Sequence, residues 1–541
     1  MRLSATGTIL LPRRTLESRD RGSRLADLSA LLARDAGLTA TLAVAVGVSL
    51  VSVTYFAHIG LLTAYGDGKA RLLIARMVLE GRHSGLAQLG GIWPPFPQAY
   101  MLAFAWNDAL YYSGVAGAIP SALSYVIAAG YLYKLVVRLT GDQMAGLIGV
   151  LAFSGPNTLY LQSVPMSELP FIACFVAAVY FTVRWIQEDS LGALFMAALA
   201  ACLSTLTRYE GWVLVVLLTA VVVIAGWRGS HRYSELEGLL VFFSLVAFSG
   251  IGLWLIWNRV ILGDTLYFLH SQYGTAAING LQLTDMASAD RPAGRLRLSS
   301  LVFSWTAADT IGWVGIGLGA LGLLRVLIAR MSVPNAVAAL LLLFPVAFSV
   351  LAVYAGAEVV ADPHATPGEP ATNLRYGLLL APAAGFLAGS LAAGRWLRWP
   401  TLAACVASSM VMWHMGLADP REAAGMTAHY DQATRPTAEW LRDHYDNGLV
   451  LMQRRTNEDL LFASHLPLSQ VVYGGDRGEW TSDLRDPARE VRWIVMDAGT
   501  PSQAAPPDDV WRQLHSSREL RDRYLLAYQN GPISVYRLGG R

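Results

Sequence analysis

Apolar runs near the ~20 residues that cross a bilayer as helix recur along most of this chain, separated by short polar or basic breaks. They predict about eleven spans: about Gly37–Ala57, Ile119–Val137, Met144–Leu161, Leu169–Ile186, Leu191–Leu206, Trp212–Trp227, Leu239–Trp257, Ala308–Leu327, Ala336–Tyr354, Asn373–Ala393 and Pro400–Leu417. A spanning backbone must satisfy its own hydrogen bonds, so the runs predict a polytopic α-helical bundle. Between the first two, residues 59–118 include a stretch too polar to span. From Asp67, apolar Leu72, Leu73, Ile74, Ala75, Met77 and Val78 alternate with Lys69, Arg71, Arg76 and Glu80. This pattern predicts a helix lying in the membrane interface, apolar on one face and charged on the other. Ala99–Trp106 is apolar but stops at Asn107-Asp108, and predicts a second interfacial helix.

Arginines orient the spans. Residues 1–36 carry Arg2, Arg13, Arg14, Arg19, Arg21, Arg24 and Arg34 with no convincing cleavage site after the first apolar run. A retained signal anchor with a cytoplasmic, Arg-rich tail is expected. Arg138, Arg228, Arg232, Arg325, Arg330, Arg395 and Arg398 fall on the same side. Residues 59–118 then form the first outer loop, and the C-terminus lies outside the cytoplasm of a multi-pass plasma (inner) membrane protein. The transmembrane domain is expected over 37–417 and a small extracytoplasmic α/β domain over 418–541. In that last part Thr434–Asp446 reads as a helix capped by Thr434, with Pro436 in its first turn. Asp508–Ser516 reads as a second helix, and Gly448–Gln453, Val491–Asp497 and Ile533–Leu538 as strands.

Composition agrees with the membrane reading: 54% apolar and 15% charged residues, with a mean hydropathy of +0.41. The net charge of +2 gives no reason to expect nucleic acid as a partner. Cys174, Cys202 and Cys405 all fall in predicted spans, so no disulfide framework is expected. The run Gly317-Leu-Gly319-Ala-Leu-Gly322 matches a dinucleotide fingerprint but sits inside a span with no strand before it. Gly315 and Gly319 read better as small-residue helix packing. His58, His83, His270 and His364 are dispersed, which argues against a histidine-based metal site.

The remaining polar residues sort to one end of the bundle. Asp67, Glu168, Arg208, Glu210 and Arg375 all fall at predicted outer ends of spans or in outer loops. A carboxylate there can take a proton from an acceptor hydroxyl, and arginines can hold a departing phosphate. Each feature also has a plain reading. Gly66-Asp67-Gly68 makes a helix N-cap, Arg71 and Arg76 could snorkel to head groups, and Ser167-Glu168 could simply start a helix. Arg208-Tyr209-Glu210-Gly211 could be an interface-anchored turn, and Arg375-Tyr376 an ordinary basic/aromatic anchor. A transporter or exporter is the rival reading. It would place ionisable residues near the membrane midplane rather than at one end.

Several short motifs, in order, resemble those of the GT-C superfamily of membrane glycosyltransferases. They are Gly66-Asp67-Gly68 opening a helix, Trp93-Pro94-Pro95-Phe96-Pro97, Ser167-Glu168-Leu169-Pro170, Thr207-Arg208-Tyr209-Glu210-Gly211, and Asn373-Leu374-Arg375-Tyr376 with Pro382. The likeness covers most of residues 37–400. It lies nearest to bacterial members related to protein mannosyltransferases, the aminoarabinose transferase of lipid A and Rgt-type transferases. The resemblance implies inverting transfer from a polyprenyl-phosphate sugar to a hydroxyl of a lipid, glycan or protein, among membrane lipids. It implies Asp67 as base and Glu168 as a second catalytic acid. Arg208, Arg375 and Tyr376 would bind the donor phosphate, and Arg71, Glu210 and Trp93 the substrate. Many relatives carry an acidic pair in the first loop, whereas Asp67 is followed by Gly68. Some distant members use a divalent cation and others do not. No metal ligand is assigned, and Mg or Mn at Asp67 and Glu168 stays an option.

Overall fold

The computed structural model describes residues 35–229, 232–271, 274–328, 332–454, 457–475, 477–499 and 507–539. The Arg-rich tail before Asp35 lies outside the described residues, as do Ser230, His231 and Arg330. Among the described residues eight helices are long and apolar enough to cross a membrane. Glu168–Glu188 and Leu374–Ala392 are each 89% buried and form the centre of the bundle, whereas Ala36–His58 and Tyr233–Leu262 are 22% buried and lie at its rim.

The other expected spans depart from single long helices. The run Met144–Leu161 is broken: a helix Gln143–Phe153 ends at Ser154, and Pro156 starts a second, Pro156–Leu161. A proline cannot donate to the preceding turn, and it suits a new first turn. The run beginning at Ala308 is likewise two helices, Leu296–Ile311 and Trp313–Ile328, bent by 104°. The hinge is Gly312, whose φ of +81° lies in the left-handed region that glycine tolerates. Leu191–Thr205 stays one helix but is short. In the last apolar run, the helix Arg398–Met415 stops at Gly416, and another, Ala418–Asp431, follows it.

Glycines set close helix crossings. A Cβ on Gly385 would lie 2.7 Å from the Gly149 carbonyl oxygen, and one on Gly149 would lie 2.8 Å from that of Gly385. The helix Gln143–Phe153 therefore packs backbone to backbone on Ala381–Ala392, as small residues allow in lipid. In the Gly-rich run near residue 317, the close approach belongs to Gly322. Its Cβ would meet the Leu387 carbonyl oxygen at 2.1 Å, while Gly315 and Gly319 have room.

The helix Gly66–Glu80 does not leave its charged face in water. Gly68 to Val78 are buried throughout. The bundle covers one side, and the C-terminal domain covers the other: Leu73 and Met77 share a core with Leu460, Leu461, Val471 and Trp493. Lys69 and Arg76 are consequently paired and do not snorkel. Lys69 pairs with Asp459, and Arg76 pairs with Glu80 and Asp108. The expected second helix is Phe96–Ala105, with Pro97 in its first turn.

The C-terminal domain holds one five-stranded sheet: β1 (Leu449–Leu451), β2 (Val471–Val472), β3 (Val491–Asp497), β4 (Tyr524–Asn530) and β5 (Ile533–Leu538). The order is β2-β1-β3-β5-β4. β1 runs parallel to β2 and β3, and β5 antiparallel to β3 and β4. The helix near residue 434 spans Thr434–His444 with Ala433 at the cap position and no side-chain cap, so Thr434 is not its cap. The other expected helix is Asp509–Leu514, and here Asp508 does cap, accepting from the Trp511 amide at 2.6 Å.

Candidate active site

Four glycine-dependent contacts assemble the site. Gly68 lets the Gly66–Glu80 helix approach Pro165, since a Cβ would lie 3.0 Å from its Cγ. That approach sets Asp67 beside the turn before Glu168. Gly117 faces the same proline, with a Cβ position 2.1 Å from Pro165 Cβ. Gly211 lies against the Ser204 carbonyl oxygen, at 2.4 Å from a Cβ, and folds the turn that presents Arg208. Gly377 sits on Thr306, with a Cβ position 2.5 Å from its carbonyl oxygen, and keeps the 3-10 turn Leu374–Leu380 flush on its neighbouring helix.

Side-chain bonds then fix the loops. Asn373 takes a left-handed φ of +58° just before Leu374. Its amide and that of Leu374 donate to the two Glu422 oxygens at 2.7 and 3.0 Å. Glu422 thus clamps the backbone immediately ahead of Arg375. The Trp-Pro-Pro-Phe-Pro run is tied to the Arg208 turn. The Tyr209 hydroxyl donates to Ile92 O at 2.8 Å, and the Phe96 amide donates to Leu206 O at 2.9 Å.

The result is a chain of alternating charge. Asp67 Oδ2 accepts from Arg375 Nη2 at 2.6 Å. Arg375 Nε lies 3.3 Å from Glu168 Oε1, which also accepts from Arg208 Nη1 at 2.8 Å. Arg208 in turn donates to Glu210 Oε1 through Nε at 2.7 Å and Nη2 at 2.5 Å. Tyr376 lies beneath both arginines, 5.2 Å from Arg208 and 5.7 Å from Arg375. Arg71 stacks on Trp93 at 4.5 Å and reaches Gln98 Oε1 at 3.5 Å. All eight residues singled out in the sequence therefore converge on one cluster. Asp67 bonds across the fold to Arg375 and does not cap its own helix, whose cap position is Tyr65.

Buried ions survive only when paired and hydrogen-bonded. Here two acids and two arginines share bonds, yet some capacity is left over. Glu168 is fully buried and its Oε2 has no hydrogen-bond partner, nor has Arg71 Nε. Exposure also grades along the chain. The Asp67 side chain is 40% exposed, while those of Arg375, Glu168, Arg208 and Glu210 are 7%, 1%, 11% and 6% exposed. The one acid open to solvent is thus Asp67.

The bundle and this cluster can be set beside known proteins. Residues 97–257 match the family described as dolichyl-phosphate-mannose-protein mannosyltransferase. No curated protein matches the chain by sequence. The crystal structure of ArnT from Cupriavidus metallidurans bound to undecaprenyl phosphate is similar at a TM-score of 0.56 and 13% identity, over 91% of this chain and 99% of that one. Its apo state gives 0.55 at the same identity and coverage. The chain has the GT-C fold. The Archaeoglobus fulgidus oligosaccharyltransferase, crystallised with Zn and sulfate, is also similar, with 10% identity and a TM-score of 0.46 over 91% of this chain and 79% of that one.

Within this GT-C fold, three residues join the cluster that the sequence did not single out. Glu358 lies in the loop after Val333–Tyr354, within electrostatic reach of Glu210, Arg208 and Arg375. Burial first, then Glu210, pushes its carboxyl up to about 8, against the pull of the two arginines. Tyr65 places its ring 5.2 Å from Arg375 and its hydroxyl 3.2 Å from Asp419 O, to which it donates. Gln98 receives Arg71. Only Tyr65, next to Gly66-Asp67, had a sequence signal.

Proposed function

We propose that this chain transfers a sugar, with inversion, from a polyprenyl-phosphate carrier to an acceptor hydroxyl at the outer face of the plasma (inner) membrane. The observation that carries the reading is the graded cluster. A solvent-open carboxylate is backed by two buried arginines, as a reaction needs that takes a proton at one end and leaves a phosphate dianion at the other. The carrier class is suggested by the undecaprenyl phosphate bound to ArnT and by the dolichyl phosphate in the matched family's description.

In the proposed step Asp67 takes the proton of the acceptor hydroxyl, and the freed oxygen pair attacks the anomeric carbon. The bond between that carbon and the phosphate oxygen breaks, and the electron pair leaves with the carrier phosphate. Arg375 and Arg208 neutralise it, with Tyr376 holding their planes. Arg375 donates to Asp67. A phosphate competes for that guanidinium, so carrier binding releases the base for the acceptor. Glu168 keeps the two arginines together. Arg71, with Nε free of a partner and its plane on Trp93, is proposed to hold the sugar, together with Glu210. Asp67 and Glu168 already share Arg375, so Mg or Mn between them would have to displace a guanidinium. The proposed step uses no cation.

The acceptor is a lipid, glycan or protein hydroxyl. The C-terminal domain (418–541) would sit outside the cytoplasm, over the transmembrane domain (37–417). The test is transfer from radiolabelled polyprenyl-phosphate sugars in nanodiscs. Wild type should label an acceptor, and Asp67→Asn should lose ~10²–10⁴ of the rate, the range of a positioned base, with an unchanged melting temperature. A variant that keeps its rate would remove Asp67 from the mechanism.

A further inference from the structure

A second charged cluster lies apart from the arginine chain. Asp309 stands at the end of the helix Leu296–Ile311, three residues before the hinge at Gly312. Asp362 and His364 come from the loop between Tyr354 and Asn373. One potential ligand atom from each of the three lies within 4.8 Å of the other two. His364 Nδ1 is 3.0 Å from Asp362 Oδ1 and 3.8 Å from Asp309 Oδ2. The imidazole plane is fixed by stacking on Trp305, with centroids 4.6 Å apart and planes 14° apart.

Local structure accounts for only part of this. Asp362 Oδ1 accepts from the His364 amide at 2.9 Å, an ordinary turn. Asp362 Oδ2 has no hydrogen-bond partner, although the side chain is wholly buried. A buried carboxylate oxygen with no protein donor has room for a further partner, such as a cation. A neighbouring acid repeats the pattern. Asp419 is fully buried with both carboxylate oxygens unpartnered. It is close enough to Asp309 for their charges to interact. Asn157 links the two backbones, donating to Asp309 O at 3.0 Å and accepting from the Asp419 amide at 3.3 Å. Acidic groups thus gather here, with Arg421 within electrostatic reach of Asp309 and Arg375 within reach of Asp419.

We propose that Asp309, Asp362 and His364 bind a divalent transition-metal cation that ties the 355–372 loop to the kinked helix. Two carboxylates and one imidazole suit zinc or manganese better than an all-oxygen ion such as calcium. Ligands ~2.0–2.2 Å from a tetrahedral ion stand about 3.3–3.6 Å apart, between the 3.0 and 3.8 Å seen here. Asp419 lies nearby without being one of the three ligands. The consequence is mechanical. The same loop carries Glu358 and runs into Asn373, Leu374 and Arg375, so the cation would anchor the backbone that delivers the arginine.

The test uses the full chain in nanodiscs, stripped with chelator and then titrated with Zn²⁺ or, in a separate arm, Mn²⁺. Bound metal after desalting and melting temperature are both read. Wild type should retain about one equivalent of one of the two ions and melt higher with it. His364→Ala and Asp309→Asn should each weaken retention at least ~10-fold, while Asp67→Asn leaves it unchanged. His364 is half exposed, so its variant keeps the test intact if a change at buried Asp362 prevents folding. Retention of neither ion by wild type, or equal retention by His364→Ala and Asp309→Asn, would overturn the site. The readout is binding, so the outcome is independent of whether the chain transfers sugar.

Discussion

Arg375 serves two acids at once, and that sharing sets what single substitutions should do. Arg375→Lys keeps the charge but loses the fork that reaches Asp67 and Glu168 together. It should lower transfer by ~10-fold or more and raise the apparent KM for the carrier, measured with the same radiolabelled donors. Glu358 gives a pH prediction. Its folded carboxyl holds a proton up to about 8, whereas an unfolded glutamate releases it near ~4.3. Between those values the folded state binds more protons, so the Glu358 contribution to stability falls as pH rises. Above about 8 a buried charge stands near Glu210, only partly offset by Arg208 and Arg375. Glu358→Gln should therefore flatten the loss of melting temperature from about pH 6 to about pH 9; an unchanged slope would remove Glu358 as its source. The residues legible in the sequence, Asp67 and Glu168, were charges adjoining long apolar runs, where a charge is costly enough to need a reason. Glu358 was hidden because its loop also holds Asp362 and Glu369. Composition cannot say which acid of a loop folds inward.

At the level of elements, the apolar runs located the bundle but not its breaks. Hydropathy records which residues avoid water, and it is blind to whether the backbone continues as helix. Gly155-Pro156 and the positive φ at Gly312 break two runs that read as continuous. The amphipathic pattern of Gly66–Glu80 left the cover over its charged face unseen for a related reason. A charged face is consistent with water or with buried partners, and the partners, Asp459, Asp108 and Gln98, lie far along the chain. β4 was missed because Tyr524–Asn530 mixes exposed Leu525 and Leu526 with polar Gln529 and Asn530. The crossing of Gln143–Phe153 on Ala381–Ala392 offers a test of packing. Gly385→Val would drive a side chain into the Gly149 carbonyl. It should cost about 1–3 kcal/mol, the usual range for overpacking, read as a lower melting temperature in nanodiscs, with Gly315→Val on a roomier face as the control.

Across the whole molecule, the C-terminal domain and the bundle grip the same helix, the one whose first turn holds Asp67. Lys69–Asp459, Arg82–Glu479 at 2.5 Å, Tyr473 donating to Gln88 at 2.5 Å and His465 stacked on Tyr112 at 3.7 Å all cross this junction. Asp459→Lys should loosen the domain, seen as faster proteolysis, and slow transfer. The swap Lys69→Asp with Asp459→Lys should recover about 0.5–3 kcal/mol of the loss, the usual coupling of contacting residues. No recovery would mean that the pair does not hold the domain. The short helices have a wider consequence. Leu191–Thr205, with 15 residues, rises only ~22 Å, against a hydrocarbon layer of ~30 Å, and it ends two residues before the Arg208-Tyr209 turn. Hydrophobic mismatch of this size is met by thinning the surrounding lipid. The arginines would then lie below the plane of the neighbouring head groups, in a dimple of the bilayer. A carrier phosphate could reach them with its tail still in lipid, and water could follow it down with the acceptor.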